Sequence, residues 1–320
     1  MRNAQCIGIA ACFLFWGRPC LGGSGAEPLT FLNLDANARP VALGGAYTAL
    51  AADVNALLYN PAGLARVRRH EATFMHNAYF QEIKQEYVAY LHPAGWSLSL
   101  NQLSFGDVQK TTLSDPGGAS LGQTTLSDLA LGAGYGHALT ESLAVGAGLK
   151  YIRETIDSTN GDGIAADLGV LYALPAAPGL NLGLTAQNLG PAVRFQGADE
   201  NLPFQVRMGA AYAGMLAGRA SVLALDVIAP RSESPFPRVG VETRLADFLA
   251  LRMGYDGRNE AGPGITAGFG YLFKRGSVDY AIVPMGELGS AHRISVTFHW
   301  DTHAESIDQS ISLPPQNWAK

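Results

Sequence analysis

The sequence LAVGAGLKY at residues 143–151 alternates apolar residues with small or polar ones. Successive side chains of a β-strand point to opposite faces, so this pattern gives one apolar face and one small or polar face. The same alternation recurs at residues 164–172, 204–212, 265–273 and 294–300. Because each of these segments is about 8–13 residues long, each can cross a bilayer as a tilted strand.

About fourteen such segments follow one another between residues 70 and 300, and even numbers of antiparallel strands are the rule in bacterial membrane barrels. They begin near residues 70, 85, 95, 125, 142, 163, 180, 203, 219, 236, 248, 264, 277 and 292. Short connections alternate with longer ones at residues 106–124, 154–162, 190–202, 229–235, 256–263 and 285–291. The pattern predicts an all-β, transmembrane antiparallel barrel with long outer loops, short periplasmic turns and both termini in the periplasm.

The composition favours a barrel in lipid over a soluble protein. Only 15% of the residues are charged and 38 are glycine, while mean hydropathy is close to zero. A large lipid-facing surface that alternates with a polar lumen gives this combination. A soluble periplasmic β-protein stays open as an alternative. The net charge of −5 argues against a nucleic-acid partner.

The first residues predict export from the cytoplasm. Arg2 is followed by a short apolar run at residues 7–16 and by the small residues Ser24-Gly25-Ala26, which resemble a signal-peptidase site. Residues 1–26 are therefore interpreted as a cleaved signal peptide. All three cysteines lie within this segment, so the mature chain is expected to contain no disulfide and no thiol nucleophile.

Residues 27–69 do not alternate and are expected to form a separate N-terminal element. Residues 37–51 predict a short helix of small residues, interrupted at Gly44-Gly45. Asn60-Pro61-Ala62-Gly63 predicts a tight turn, because asparagine before proline with a nearby glycine is a strong turn signal. After the barrel, residues 301–320 are polar and contain Pro314-Pro315, which predicts a loose periplasmic tail.

The segment 38–50 (ARPVALGGAYTAL), followed by Asp53 and by Asn60-Pro61-Ala62-Gly63-Leu64, resembles the signature of PorV/PorQ-type proteins, a branch of the FadL-like outer-membrane barrels. The resemblance implies that residues 27–69 fold into the lumen of the barrel as a plug or hatch. Arg39, Gly44 and Gly45 would belong to its helix, and the turn at Asn60-Pro61-Ala62-Gly63 would lie inside it. The barrel at 70–300 would be inserted into the outer membrane of a double-membraned bacterium by the barrel-assembly machinery.

Charged residues on the small or polar face are expected to line the lumen, since ionisable groups at membrane depth normally pair or face water. We call this set the lumen charge network, and interpret it mainly as salt bridges that hold the plug. Its members are Asp128, Lys150, Asp167, Arg207, Glu242, Arg244, Arg252, Asp279 and Arg293. His299 falls on the same face. The sequence predicts no catalytic residue, metal site or cofactor, because no G-x-S-x-G and no metal-ligating histidine spacing occurs.

Two functions are compatible with such a plugged barrel. The PorV/PorQ resemblance implies a non-enzymatic role in protein secretion or assembly, with secreted proteins or secretion-system components as partners and loops such as 106–124 as the binding surface. The FadL-like fold implies instead uptake of small hydrophobic compounds, for which an apolar pocket beside the plug would be expected. Outer-membrane lipid is a partner in both cases.

Overall fold

The computed structural model describes residues 28–80, 82–118, 121–195, 198–258 and 261–301. Fourteen antiparallel strands close into one barrel, in which the first strand pairs with the last. The predicted barrel with an N-terminal plug is confirmed. In the described part of the chain, no helix is long and apolar enough to cross a membrane. The signal peptide at 1–26 and nearly all of the tail at 301–320 lie outside the described residues.

The barrel strands follow the chain order around the barrel, with one insertion between the seventh and eighth. Their bounds are β1 (His70–Ala78), β2 (Lys84–Leu91), β3 (Trp96–Gln109), β4 (Gln123–Ala138), β5 (Leu143–Ile156), β6 (Thr159–Ala173), β7 (Leu180–Leu189), then after the insertion β8 (Val193–Phe195) and β9 (Ala198–Glu200), β10 (Gln205–Leu216), β11 (Arg219–Pro230), β12 (Phe236–Ala246), β13 (Leu249–Asp256), β14 (Ile265–Phe273), β15 (Gly276–Pro284) and β16 (Ser290–Trp300). β8 and β9 form a separate two-stranded hairpin.

The strand starts agree with the predicted ones to within a few residues, but two connections differ. The predicted long loop at 154–162 is wrong, since β5 and β6 continue as a ladder to Ile156 and Thr159. The turn between them is two residues, with Asp157 in the left-handed region at φ 57°. The 190–202 connection contains the β8–β9 hairpin, and buried Val193 packs against the lumen wall. We call the end of the barrel with this hairpin the loop end, and the opposite end the turn end.

The alternation in sequence matches the two faces of the wall. Leu149, Leu168 and Leu184 point outward and expose 62%, 53% and 46% of their surface. The intervening residues point into the lumen and are mostly buried. Tyr135, Tyr212, Tyr271 and Trp300 point outward near the turn end, where an aromatic girdle marks the lipid–water interface of a membrane barrel.

The N-terminal residues fill the lumen with four short helical turns. These are a 3-10 turn at Thr30–Asn33, α1 (Ala38–Ala42), α2 (Ala56–Tyr59) and a 3-10 helix at Pro61–Arg66. The predicted helix over 37–51 is therefore shorter than expected and ends at Ala42. Gly44 and Gly45 follow with φ of 65° and 75°, a left-handed conformation that favours glycine. We call residues 28–69 the plug.

Glycines on the inner face of the wall let the plug backbone approach the strands. The 3-10 helix at Pro61–Arg66 lies against β4, β5 and β6, where the wall residues are Gly136, Gly146 and Gly169. A Cβ atom at Gly146 would overlap the carbonyl group of Pro61. Glycine is a weak strand former, but at these three positions it allows the plug backbone to pack directly against the wall. We call this contact surface the seat of the plug.

We predict that Gly146→Ala destabilises the seated plug by about 1–3 kcal/mol, because an added methyl group must displace a packed backbone. The measurement is the midpoint of urea unfolding in detergent, together with protease cleavage within residues 28–69. Gly117→Ala is the matched control, since a Cβ at Gly117 meets nothing within 4 Å. Equal effects of the two substitutions would contradict the proposed seat.

Candidate functional site: the interface between plug and lumen wall

The predicted turn at Asn60-Pro61-Ala62-Gly63 lies inside the barrel and is fixed by the side chain of Asn60. Asn60 Oδ1 accepts a hydrogen bond from the backbone N–H of Ala62 at 3.1 Å, which caps the 3-10 helix that Pro61 opens. Asn60 Nδ2 donates to the carbonyl oxygens of Thr48 at 2.9 Å and Val170 at 3.0 Å. One side chain therefore joins the turn, the preceding plug segment and strand β6.

Arg39 of the plug helix meets a row of charges on the wall. Its Nε and Nη2 donate to the two carboxylate oxygens of Glu242 at 2.9 and 3.0 Å. The same Glu242 accepts from Arg252 at 2.6 Å, and Arg252 donates to Asp279 at 2.6 Å. Arg39 also lies 3.4 Å from Asp53 of the plug. Because the charges alternate in sign, each buried group has an opposite partner, which such groups require.

Arg207 and Asp226 hold the middle of the plug. The pair lies 3.1 Å apart and is almost fully buried. Asp226 Oδ2 also accepts from the backbone N–H groups of Tyr47 and Thr48, each at 3.0 Å, and from the Thr48 hydroxyl at 2.6 Å. Arg207 donates in turn to the carbonyl oxygen of Gly45 at 2.7 Å. This wall pair therefore binds the plug through its backbone as well as its side chains.

A second ion pair between plug and wall lies nearer the loop end. Arg238 of β12 lies 2.9 Å from Asp35 of the plug and 3.0 Å from Asp256 of β13. Burial alone would raise the pKa of Asp35, but the guanidinium of Arg238, with smaller contributions from Arg207 and Arg293, holds that pKa below its ordinary value. Asp35 therefore stays ionised and paired at neutral pH.

Lys150 and Asp167 form a wall pair next to a β-bulge. They lie 2.8 Å apart, and Lys150 also donates to Asn188 Oδ1 at 2.8 Å. Asn188 is in the left-handed region at φ 59°, where the register between β6 and β7 shifts. The Asn188 amide donates to Asn33 Oδ1 of the plug at 3.0 Å. The bulge thus connects this ion pair to the start of the plug.

The remaining members of the lumen charge network are placed differently. Within the described residues, no ion pair reaches Asp128, Arg244 or Arg293. Asp128 is opposite Glu154 in the β4–β5 register, Arg244 is half-buried, and Arg293 donates to the Tyr79 hydroxyl at 2.5 Å. His299 is half-buried near the turn end. The structure therefore brings together Lys150 with Asp167, Arg207 with Asp226, and Glu242 with Arg252 and Asp279.

Several residues that contact the plug were missed in the sequence. They are Asp226 and Arg238 on the wall and Asp35 on the plug; Asp53 was noted in the PorV/PorQ-like signature, but its contact with Arg39 was not predicted. Asp226 and Arg238 occupy positions of β11 and β12 whose side chains point inward. The alternation of these strands could therefore have identified them as lumen residues. The two plug aspartates lie in a segment without a period, where no such signal exists.

The plug also makes apolar contacts with the wall, both against Met75, Tyr87 and Leu91 of β1 and β2 and at the loop end. Leu29, Phe31 and Leu32 enter a buried cluster with Leu103, Ala130, Ile152, Ala165, Val193 and Leu202. We call this set the loop-end apolar cluster. Beside it, a cavity of about 20 Å³ lies between plug and wall, lined in part by Leu57, Tyr87, Asn101 and Lys150. That volume holds about one water molecule, so this cavity is too small to be the apolar pocket expected beside the plug.

The chemistry of the interface is that of binding and exclusion. The described residues include no group of three or more metal-ligating side chains. The charged groups bind one another and the plug backbone, and the apolar cluster excludes water at the loop end. With these properties the interface can keep the lumen closed and can open it only if the plug or the hairpin moves.

Comparisons with known proteins agree with this architecture. Residues 24–203 match the family described as Uncharacterised protein family (UPF0164). The chain belongs to this family. No curated protein sequence matches it.

Solved structures share the fold of this UPF0164 chain at low sequence identity. The CymD monoaromatic hydrocarbon channel is 13% identical, with 87% of this chain and 99% of that chain covered and a TM-score of 0.54. The toluene transporter TodX of Pseudomonas putida is 13% identical, with 78% and 95% covered and a TM-score of 0.51. These values establish the plugged-barrel fold.

We predict that Asp226→Asn weakens the barrel by about 3 kcal/mol, because it leaves the buried guanidinium of Arg207 without its counter-charge. The measurement is urea unfolding followed by the shift in SDS-gel mobility between unboiled and boiled samples. Asp162→Asn is the control, since it removes an equal charge from the exposed pair with Arg153 and should change stability little. A similar loss in both variants would argue against a role of Asp226 in holding the plug.

Proposed function

We propose that this UPF0164 protein is a non-enzymatic channel of the outer membrane that takes up small hydrophobic compounds. The observation that carries the proposal is the loop-end apolar cluster, a buried apolar region that joins the plug, the wall and the β8–β9 hairpin. An apolar compound entering from the loop end would exchange contacts with Leu29, Phe31 and Val193. Burial of apolar surface is the main favourable contribution to such binding.

The outward face supports a location in a lipid bilayer. Large apolar side chains cover the outside of most strands, among them Phe74, Leu98, Leu149, Met253 and Phe269, each at least 44% exposed. So large an apolar surface would make a soluble protein aggregate, which argues against the soluble alternative. A strand barrel with this exterior belongs in the outer membrane, and the predicted signal peptide would start its delivery there.

The shared fold with CymD and TodX favours transport. Those proteins are described as a monoaromatic hydrocarbon channel and a toluene transporter, and we extend that class of substrate to this chain as part of the proposal. The secretion role implied by the PorV/PorQ resemblance stays a prediction. Its expected binding surface at 106–124 is shorter than assumed, because β3 continues to Gln109.

Transport requires movement, because the cavity beside the plug is far smaller than the roughly 300 Å³ or more of a typical ligand pocket. The β8–β9 hairpin is one of the elements that must move. Val193 packs in the apolar cluster, and a Cβ atom at Gly163 of β6 would lie 3.7 Å from the Cβ of Val193. Disulfides need a Cβ–Cβ distance of about 3.5–4.5 Å, so the hairpin can be locked to the wall.

We predict that Gly163→Cys combined with Val193→Cys blocks uptake when oxidised and restores it when reduced. The measurement is entry of radiolabelled toluene into cells that produce the protein and lack other channels for it. Each single cysteine variant is a control and should transport equally in both redox states. Full uptake by the oxidised pair would contradict a moving hairpin, and absence of toluene uptake by the unmodified chain would overturn the proposed substrate class.

A further inference from the structure

The apolar band on the outside of the barrel is not of even height. On β5 and β6 the first charged outward pair above the turn end is Arg153 with Asp162, 2.8 Å apart and exposed. Ten residues separate Arg153 from Leu143, the first residue of β5. At the usual strand rise this is about 33 Å of strand. With a strand tilt of 35–45°, the band is about 25 Å high there, the height expected of a membrane barrel.

Around the closing seam of the barrel the band is much lower. His76 of β1 and Glu86 of β2 point outward and lie 2.6 Å apart, with 43% and 37% of their side chains exposed. Six residues separate His76 from His70, where β1 begins. The apolar band between them is about 20 Å of strand, or about 15 Å along the barrel axis. In this part of the wall, which we call the seam sector, the apolar band is therefore about 10 Å less high than on β5 and β6.

The neighbouring strands show the same step from apolar to polar. On β3, exposed Gln102 lies beside Glu86 in the register, six residues above Trp96. On β2, exposed Lys84 follows Glu86 toward the loop end. On β16, His292 points outward and bonds the Tyr280 hydroxyl at 2.7 Å. The polar step therefore lies on three adjacent strands, β1, β2 and β3, and His292 of β16 borders it. On β15, Ile282 lies opposite His292 and continues the apolar band.

The lower border of the seam sector is also marked. His70 stacks on Trp300 with ring centroids 5.4 Å apart, and His92 stacks on Trp96 at 4.8 Å. Aromatic and polar groups of this kind prefer the lipid–water interface. Polar groups therefore border the apolar band toward the turn end and toward the loop end. Tilting the whole barrel would move the band relative to the bilayer but would not increase its height.

We propose that the seam sector, formed by β1, β2 and β3 and bordered by His292 of β16, is a lipid-binding surface that thins the adjacent bilayer. Lipid head groups descend there to the level of His76, Glu86 and Lys84. The amino group of Lys84 can bind a lipid phosphate, and the polar groups of His76 and Glu86 gain hydration that hydrocarbon would deny them. Lipids accommodate a short apolar band by thinning, at a modest cost per ångström. This inference rests on the membrane location contained in the proposed function.

The test places nitroxide labels in both sectors and compares the label at Gln102 with and without the polar pair of His76 and Glu86. Single cysteines replace Gln102 and Leu149, each six residues above the first residue of its strand, and Leu98→Cys adds a position lower in the seam sector. The three native cysteines lie within residues 1–26, and mass spectrometry verifies that the purified chain lacks them. The labelled proteins are reconstituted into phosphatidylcholine vesicles, without any partner protein. Collision rates with oxygen and with a water-soluble nickel chelate then report depth.

We expect the labels at Leu149→Cys and Leu98→Cys to collide mainly with oxygen, and the label at Gln102→Cys to collide several-fold more often with the nickel chelate. Adding His76→Leu and Glu86→Leu should extend the band and shift the Gln102→Cys label toward oxygen. Retained heat-modifiable mobility verifies that each variant is folded.

Oxygen-dominated collisions at both Gln102→Cys and Leu149→Cys would overturn the thin sector, and would leave a partner protein as the reason for the polar patch. Nickel-dominated collisions at Leu149→Cys as well would mean that the barrel is not embedded, which overturns the membrane location and this inference together. If the labels behave as expected but the unmodified chain takes up no toluene, the proposed substrate class is overturned and the thin sector is retained.

Discussion

The structure depends on the fit between the plug backbone and a lumen wall that carries glycine at the points of closest approach. Gly136, Gly146 and Gly169 leave room for the turn at Asn60, and Gly240 and Gly254 leave room for Leu43 and Gly44. Where backbone approaches backbone this closely, its polar groups need partners. Asp226, Thr266 and Asn60 supply them. Small residues and buried hydrogen-bonding groups therefore occur together on the inner face of the wall.

The strands could be predicted because the wall separates lipid from an aqueous or protein-filled lumen, so every second residue reports its environment. The same parity identified Arg207, Glu242 and Arg252 as inward residues. Their partners could not be predicted, because parity gives the face of a residue and not its neighbour across the lumen. Asp35 lies far in sequence from its partner Arg238. Asp53 and its partner Arg39 both lie in the plug, where the sequence has no periodic pattern. The β5–β6 turn was missed because Asp157, Asn160 and Gly161 are typical loop residues.

The distribution of charge inside the lumen bears on how the protein would open. Charged contacts hold the plug around Arg39 and Asp226, while apolar contacts hold the N-terminal residues Leu29 and Phe31 at the loop end. Apolar contacts have little directionality, so a hydrophobic compound can replace them, whereas the charged contacts have no substitute in such a compound. For the proposed channel, the contacts of Leu29 and Phe31 are therefore the exchangeable ones, and the charged contacts of Arg39 and Asp226 are retained.

Asn37 carries a consequence for assembly. Its amide donates to Thr73 of β1 at 2.9 Å, and its carbonyl oxygen accepts from Ser295 of β16 at 3.0 Å. Since β1 and β16 are the strands that close the barrel, one plug residue bridges the closing seam. Ser295 is 258 positions away from Asn37, and contacts so distant in sequence form slowly. A chain whose plug is not yet in place would lack this bridge, so entry of the plug and closure of the sheet become one cooperative event.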